Sequence, residues 1–164
     1  MDIRSALKRQ YGAGLAMLRQ EVERCPEAVW TSGEHPRNFW RIAFHAVFYT
    51  HLYLQPNLNA FVPWEKDRED SASLWEDPPV VEPYTRSEIL DYIDLVTAGL
   101  DKAVDLLDLD SDETGFYWYK NMAKLDHQMM NLRHLQGHVG QLSEILMAKG
   151  IDLDWVGQSA AING

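Results

Sequence analysis

A single cysteine, Cys25, stands in the 164 residues, so no internal disulfide can form and no cysteine-rich metal scheme is available. Long apolar runs are missing too. Nothing approaches the roughly 20 residues that a bilayer-spanning helix requires, which excludes a helical membrane protein. The opening MDIRSALKRQ lacks the apolar stretch and small-residue cleavage site of a secretory signal; with the lone cysteine it points to the cytoplasm. Positive charge is scarce: 15 Lys and Arg against 25 Asp and Glu leave a net charge of -10. Such a surface repels a phosphate backbone, and no basic patch interleaves with the aromatics, so nucleic acid is excluded as a direct partner. Strand alternation, internal repeats and a GxSxG nucleophile elbow are absent as well.

What remains is the composition of a globular protein, 46% hydrophobic and 24% charged, in one domain spanning 1–164. Ile3, Leu7, Tyr11, Gly14, Leu18, Val22 and Cys25 recur at intervals of three or four and Asp2 can cap, which predicts a helix over 3–24 with Pro26 as its stop. The polar TSGEHPRN is a connection. From Asn38 to Leu54 nearly every side is apolar, as in a helix buried among neighbours and ended by Pro56. Residues 55–84 carry five of the seven prolines, the aromatics Phe61, Trp64, Trp75 and Tyr84, and no helical stripe; a connection of this length reads as a lid or long crossover. Thr85 and Glu88 form a capping box ahead of the stripe Ile89, Ile93, Val96, Leu100, Ala103 and Leu107, a helix over 86–107. After DLDSDETG a fourth helix is expected to begin between Tyr117 and Met122 and to end before Gly150, about 40 Å long. The tail is read as a short packed turn around Trp155 and a frayed end. The expected fold is all-α, a four-helix bundle.

The chemistry lies in the histidines. His134 and His138 are one turn apart, so their imidazoles project from one face and can grip one ion. His45 sits in the middle of the most apolar helix, where an unsatisfied imidazole is least welcome. Three imidazoles leave a fourth position to water or substrate, the ligand count of a catalytic metal site. On the last helix His127, Asn131, His134, His138, Gln141 and Ile145 share one sector, a polar line where a core stripe is normally apolar; it needs an ion, waters or hydrogen bonds. His127 lies about 10 Å along the axis from His134, too far to share its ion, and is read as a cavity or supporting residue. His51 is about 120° away from His45 and is taken as structural or exposed, and His35 in its polar loop as solvated. Asp126 and Glu144 lie to one side of the histidine face. No ExxH pairs of a di-iron bundle occur, and Leu135 stands where an HExxH protease has Glu. Cys25, at the end of a helix stripe, reads as a packed thiol.

The segments AFHAVFYTHLYL, EPYTRSEILDYI and NLRHLQGHVGQLSEIL resemble, over about residues 36–150, the DinB/YfiT-like superfamily of metal-dependent proteins. The resemblance implies an up-down-down-up bundle with a long connection between helices two and three. It implies metal ligands at His45, His134 and His138, with nickel, zinc or iron as the divalent metal. It also implies a thiol-dependent transferase or isomerase that uses a low-molecular-weight thiol such as bacillithiol, mycothiol or glutathione.

Two function classes follow. In an enzyme the metal activates a thiol, giving an S-transferase acting on a small-molecule substrate, or a water, giving a hydrolase, with Tyr49, His127 or Asn131 orienting the substrate. In a noncatalytic bundle, alone or as a homodimer, the ion locks helices two and four or senses metal. An empty histidine cluster held by waters is the third reading.

Overall fold

Asp2 caps the first helix: its carboxylate accepts from the backbone N–H groups of Arg4 (3.1 Å) and Ser5 (3.3 Å), and α1 runs Ile3–Arg24. The computed structural model describes residues 2–75 and 77–159. Among these the secondary structure is all-helical: α1, α2 (Glu27–Trp30), α3 (Phe39–Tyr53), α4 (Arg86–Leu106) and α5 (Lys124–Met147), with a 3-10 turn at Leu58–Ala60. None of these helices is long and apolar enough to cross a membrane.

The periodic apolar positions become the core faces. Leu7, Tyr11, Leu18 and Val22 of α1 are buried, although Ile3, counted in the same stripe, is 47% exposed as the first residue of the helix. At Gly14 a Cβ would come within 2.8 Å of the Leu135 side chain, so the missing side chain lets α1 approach α5 closely. Cys25, held extended before Pro26, ends α1, and its thiol is buried. Pro26 does more than stop that helix: it opens the single turn of α2, too short to leave a periodic signal, which seats Trp30 with its indole N–H on Tyr84 O (2.8 Å). Twelve residues of α3 are buried. The Thr85 and Glu88 capping box starts α4, with Thr85 Oγ1 accepting from Glu88 N–H (3.2 Å) and Glu88 Oε2 from Thr85 N–H (2.8 Å).

Cross-links fix the helix directions. Arg4, at the start of α1, donates to Val104 O (2.6 Å) and Leu107 O (2.7 Å) at the end of α4, while Arg19 pairs with Asp94 (2.9 Å); α1 and α4 are antiparallel. Tyr11 donates to Gln128 Oε1 (2.8 Å) and Ser143 to Glu21 Oε1 (2.5 Å), so α1 and α5 run together. Gln128 Nε2 in turn donates to Tyr53 O (2.8 Å) and His134 meets His45, which sets α3 antiparallel to α5. Hence α3 and α4 point the same way, and the chain between them must return along their length. Residues 54–85 do so.

Two expectations need correction. The last helix begins at Lys124, not between Tyr117 and Met122, because Gly115 (φ +79°) and Asn121 (φ +58°) take left-handed conformations that a helix cannot include. The buried Lys124 ammonium folds back to Pro56 O (2.7 Å) and Thr114 O, tying that loop to the end of α3. At its other end α5 closes at Gly150 (φ +75°): Ile151 N–H donates to Leu146 O (3.2 Å) and Gly150 N–H to Met147 O (2.9 Å), a Schellman closure. Trp155 is 76% exposed rather than packed, because the segment runs extended along α1, held by Arg24 to Asp152 O (2.7 Å) and by Ser159 N–H to Arg9 O (3.2 Å). Ile151, Leu153 and Val156 make the apolar contacts instead. The frayed end expected after it lies in residues 160–164, outside the described residues.

Glu21 is the acidic group of this core. It is buried between α1 and α5, Ser143 satisfies only Oε1, and burial raises its pKa to about 8. With the folded value above the unfolded one, the native state binds the proton more tightly, so stability from this group is full below about pH 4.5 and drains away as pH rises toward 8. The loss between pH 5 and pH 8 is on the order of 3 kcal/mol. Glu21→Gln is expected to flatten that slope and to be the more stable protein at pH 8, measured by urea unfolding at both pH values. A slope unchanged by the substitution counts against a buried neutral acid here.

Candidate metal centre

His45 stands on the α3 face turned to α5, and His134 and His138 are one turn apart on α5 opposite it. His45 Nε2 lies 2.9 Å from His134 Nε2, and His138 Nε2 lies 3.1 Å from the same atom. One ring nitrogen from each histidine falls within 4.8 Å of the others, and no carboxylate belongs to the cluster among the described residues. His45 is buried; the other two are half-buried and open the cluster on one side.

Outer hydrogen bonds set the tautomers. His45 Nδ1 is 2.6 Å from Ala72 O and His138 Nδ1 is 2.9 Å from Gln141 Oε1; both oxygens only accept, so both Nδ1 atoms carry the proton. Their Nε2 lone pairs therefore point at His134. A single His134 proton is the most that can stand between them, and His134 Nδ1, buried, has no protein partner among the described residues. Protonation cannot relieve the crowding, since desolvation first, with repulsion between the rings, lowers the pKa of His45 to about 3 and of His134 to about 4; His138 is lowered too, with Arg37 adding to the effect. Neutral imidazoles with converging lone pairs are the donor set a divalent transition metal takes. Nitrogens each about 2.1 Å from one ion sit about 3 Å apart at right angles and a little farther at tetrahedral angles, so the 2.9 and 3.1 Å separations from His134 match donors that share an ion.

The surroundings come from the long connection. Ala72 supplies the carbonyl behind His45, and the Trp75 ring stands edge-on to the imidazole at 5.4 Å. Tyr49, one turn after His45, lies 4.6 Å from its ring and 5.7 Å from that of His134. Arg41, a turn before His45, is buried and anchors the connection through Ser71 O (3.2 Å), Asp70 O (2.9 Å) and Pro79 O (3.1 Å).

The other expected residues fall elsewhere. Asn131 is buried a turn below His134, its Nδ2 3.4 Å from Thr50 O and its Oδ1 without a protein partner among the described residues. His127 is buried among Tyr53 (4.8 Å), Phe116 (5.1 Å) and Tyr119 (5.2 Å), neither ring nitrogen bonded there, and its pKa is lowered to about 4 by burial. His51 is structural, bonded to Tyr92 Oη at 3.0 Å. His35 is not merely solvated: although exposed, it donates from Nε2 to Pro78 O (2.6 Å) and accepts from Arg41 (3.3 Å). The Ala72 carbonyl, and Trp118 and Tyr119, which line a cleft together with Tyr49 and Trp75, carry no sequence signal, since a backbone oxygen has none and FYWY reads as the start of a helix. No family model matches this chain, and searches of curated proteins and of solved structures found no match either.

Proposed function

We propose that this protein is a metal-dependent enzyme of the DinB/YfiT-like superfamily, a four-helix bundle in up-down-down-up order. In this reading His45, His134 and His138 hold nickel, zinc or iron, and the cytoplasmic enzyme transfers a low-molecular-weight thiol to a small-molecule substrate. The observation that carries it is the meeting of three neutral imidazole Nε2 atoms whose partner nitrogens are, in two of the three, already bonded outward. The shared direction of α3 and α4 and the length of chain between them agree with that bundle.

His45, His134 and His138 would hold the ion, which would supply a Lewis acid able to lower the pKa of a thiol. The remaining work falls to this chain's own groups. Ala72 O and Gln141 orient two of the donor rings, as outer partners of metal-bound histidines do. Tyr49, kept a neutral phenol because burial raises its pKa, is a hydrogen-bond donor beside the donor rings. Trp75 shields His45 from water. Among the described residues no carboxylate joins the cluster to serve as a general base for water, which favours the transferase over the hydrolase.

The test is turnover. Metal-loaded protein, offered bacillithiol, mycothiol or glutathione with a panel of electrophiles, is expected to consume thiol at a rate that chelation and His138→Ala both abolish. Hydrolysis of activated esters without thiol would point to the hydrolase, and stoichiometric metal without any metal-dependent turnover to the noncatalytic bundle.

A further inference from the structure

Of the three donor rings, His134 alone has no outer bond. Its Nδ1 is buried and without a hydrogen-bond partner among the described residues, and the same is true of Asn131 Oδ1. Buried polar atoms left unpaired are costly, so two of them on one helix face call for a common explanation. Asn131 stands one turn before His134 on the face of α5 turned to α3, and side chains so spaced have Cβ atoms about 5–6 Å apart. The ring itself says where Nδ1 looks. His134 Nε2 meets His45 across the helix interface at 2.9 Å and His138, one turn further along α5, at 3.1 Å. The two nitrogens of an imidazole point to different sides of the ring, so Nδ1 is turned away from His138, back along α5 toward the turn that carries Asn131. The amide is oriented as well. Thr50 O can only accept, so the edge 3.4 Å from it is Nδ2, and Oδ1 is the edge left over.

The proton count explains why the two atoms stay unbonded. His45 and His138 carry their protons on Nδ1, so the one proton of a neutral His134 belongs on Nε2, between their lone pairs. His134 Nδ1 is then an acceptor, and Asn131 Oδ1 is another. Two acceptors cannot bond. With Nε2 coordinated to an ion, that nitrogen has given up its proton and Nδ1 has taken one, so the ring stays neutral and Nδ1 becomes a donor. A buried donor needs an acceptor, and Asn131 Oδ1 is the unpartnered one on that face. His127, a turn below Asn131, also has unbonded ring nitrogens, but its ring is held among Tyr53, Phe116 and Tyr119. A carbonyl oxygen has two lone pairs, so a bond to His127 would not use it up.

We propose that Asn131 is a positioning residue for His134: its carbonyl accepts from His134 Nδ1–H when Nε2 holds the ion, a third outer bond beside those of Ala72 O and Gln141. This deepens the metal reading and rests on ion binding, not on turnover. Asn131 then orients a metal ligand rather than a substrate. Protein carrying isotopically labelled histidine, titrated with zinc and followed by NMR and by competition with a chelator, tests it. In the parent, zinc is expected to shift the His134 proton from Nε2 to Nδ1, where it gives a slowly exchanging N–H resonance. Asn131→Leu should weaken zinc binding about 10–100-fold and displace that resonance, with those of His45 and His138 unmoved. Asn131→Asp keeps the acceptor but loses the amide donor to Thr50 O, so it should hold zinc as tightly as the parent or more so. Asn131→Asp as weak as Asn131→Leu would trace the effect to the lost Thr50 bond and overturn the proposal. So would parental affinity in Asn131→Leu, or a His134 N–H in the parent that exchanges freely with solvent; with zinc still bound, both leave the metal reading standing. The tautomer readout needs only the parent, so it decides even where a variant fails to fold. No zinc uptake by the parent ends both readings together.

Discussion

Alanine at His45, His134 or His138 is expected to remove stoichiometric divalent metal from gently purified protein. The expected size follows from how the site is built. Metal binding by a few protein donors at neutral pH is worth roughly 10–16 kcal/mol, so one donor of three carries about 4 kcal/mol, near a thousandfold in affinity. No competing proton masks the loss: burial already keeps His45 and His134 neutral well below pH 7. His51→Ala is the matched control, a histidine from the same helix bonded to Tyr92 on another face. It should keep the metal. Elemental analysis and competition against a chromophoric chelator read both quantities; retention of stoichiometric metal by the His45 and His138 variants would show that the imidazoles do not share an ion. Chelation also separates two roles for such an ion. The cluster is open on the side of His134 and His138 and the core of α1, α3, α4 and α5 is continuous without it, so removing the metal should leave the fold cooperative. A collapse of stability on chelation would mark the ion as structural.

The helices and the pairing of His134 with His138 were legible because both depend on periodicity. Leu7, Tyr11 and Leu18, or Ile89, Ile93 and Val96, face the core because their spacing leaves them no other common side, and the same spacing puts His134 and His138 together. His45 stood out by being polar where its neighbours are not. What spacing cannot carry is contact between segments without a period. The seating of Ala72 O and Trp75 against His45 depends on where a 32-residue connection comes to rest, and nothing local in that stretch encodes it. The late start of α5 has the same origin: FYWY has the apolar content of a helix, but Gly115 must avoid Pro56 O, which a Cβ would approach to 2.7 Å, and this tertiary contact overrides the local pattern.

Arg41 is where that connection is fixed, and Arg41→Met is expected to release it. The guanidinium is buried, and its planar fork donates to three carbonyls, of Asp70, Ser71 and Pro79, and to His35 Nδ1. Those oxygens come from both sides of the segment that carries Ala72 and Trp75, so one side chain clamps the stretch lying over His45. Burial lowers the Arg41 pKa from its very high ordinary value, and nearby Asp70 opposes the shift. Methionine fills much of the space but leaves the carbonyls without a donor, at a cost of about 3–5 kcal/mol. Lysine restores the charge but offers a single point in place of a fork, so Arg41→Lys should recover only part of the loss. The functional consequence runs through the Ala72 carbonyl. Once the clamp loosens, His45 Nδ1 loses the acceptor that aims its Nε2 at the cluster, and metal affinity is expected to fall about 10–100-fold although no donor has been removed. Denaturant unfolding gives the stability change, hydrogen exchange should locate the loosening in residues 70–79, and chelator competition gives the affinity. A variant that loses stability while exchange in that segment and metal affinity stay as in the parent would show that Arg41 supports the core and has no part in holding the site closed.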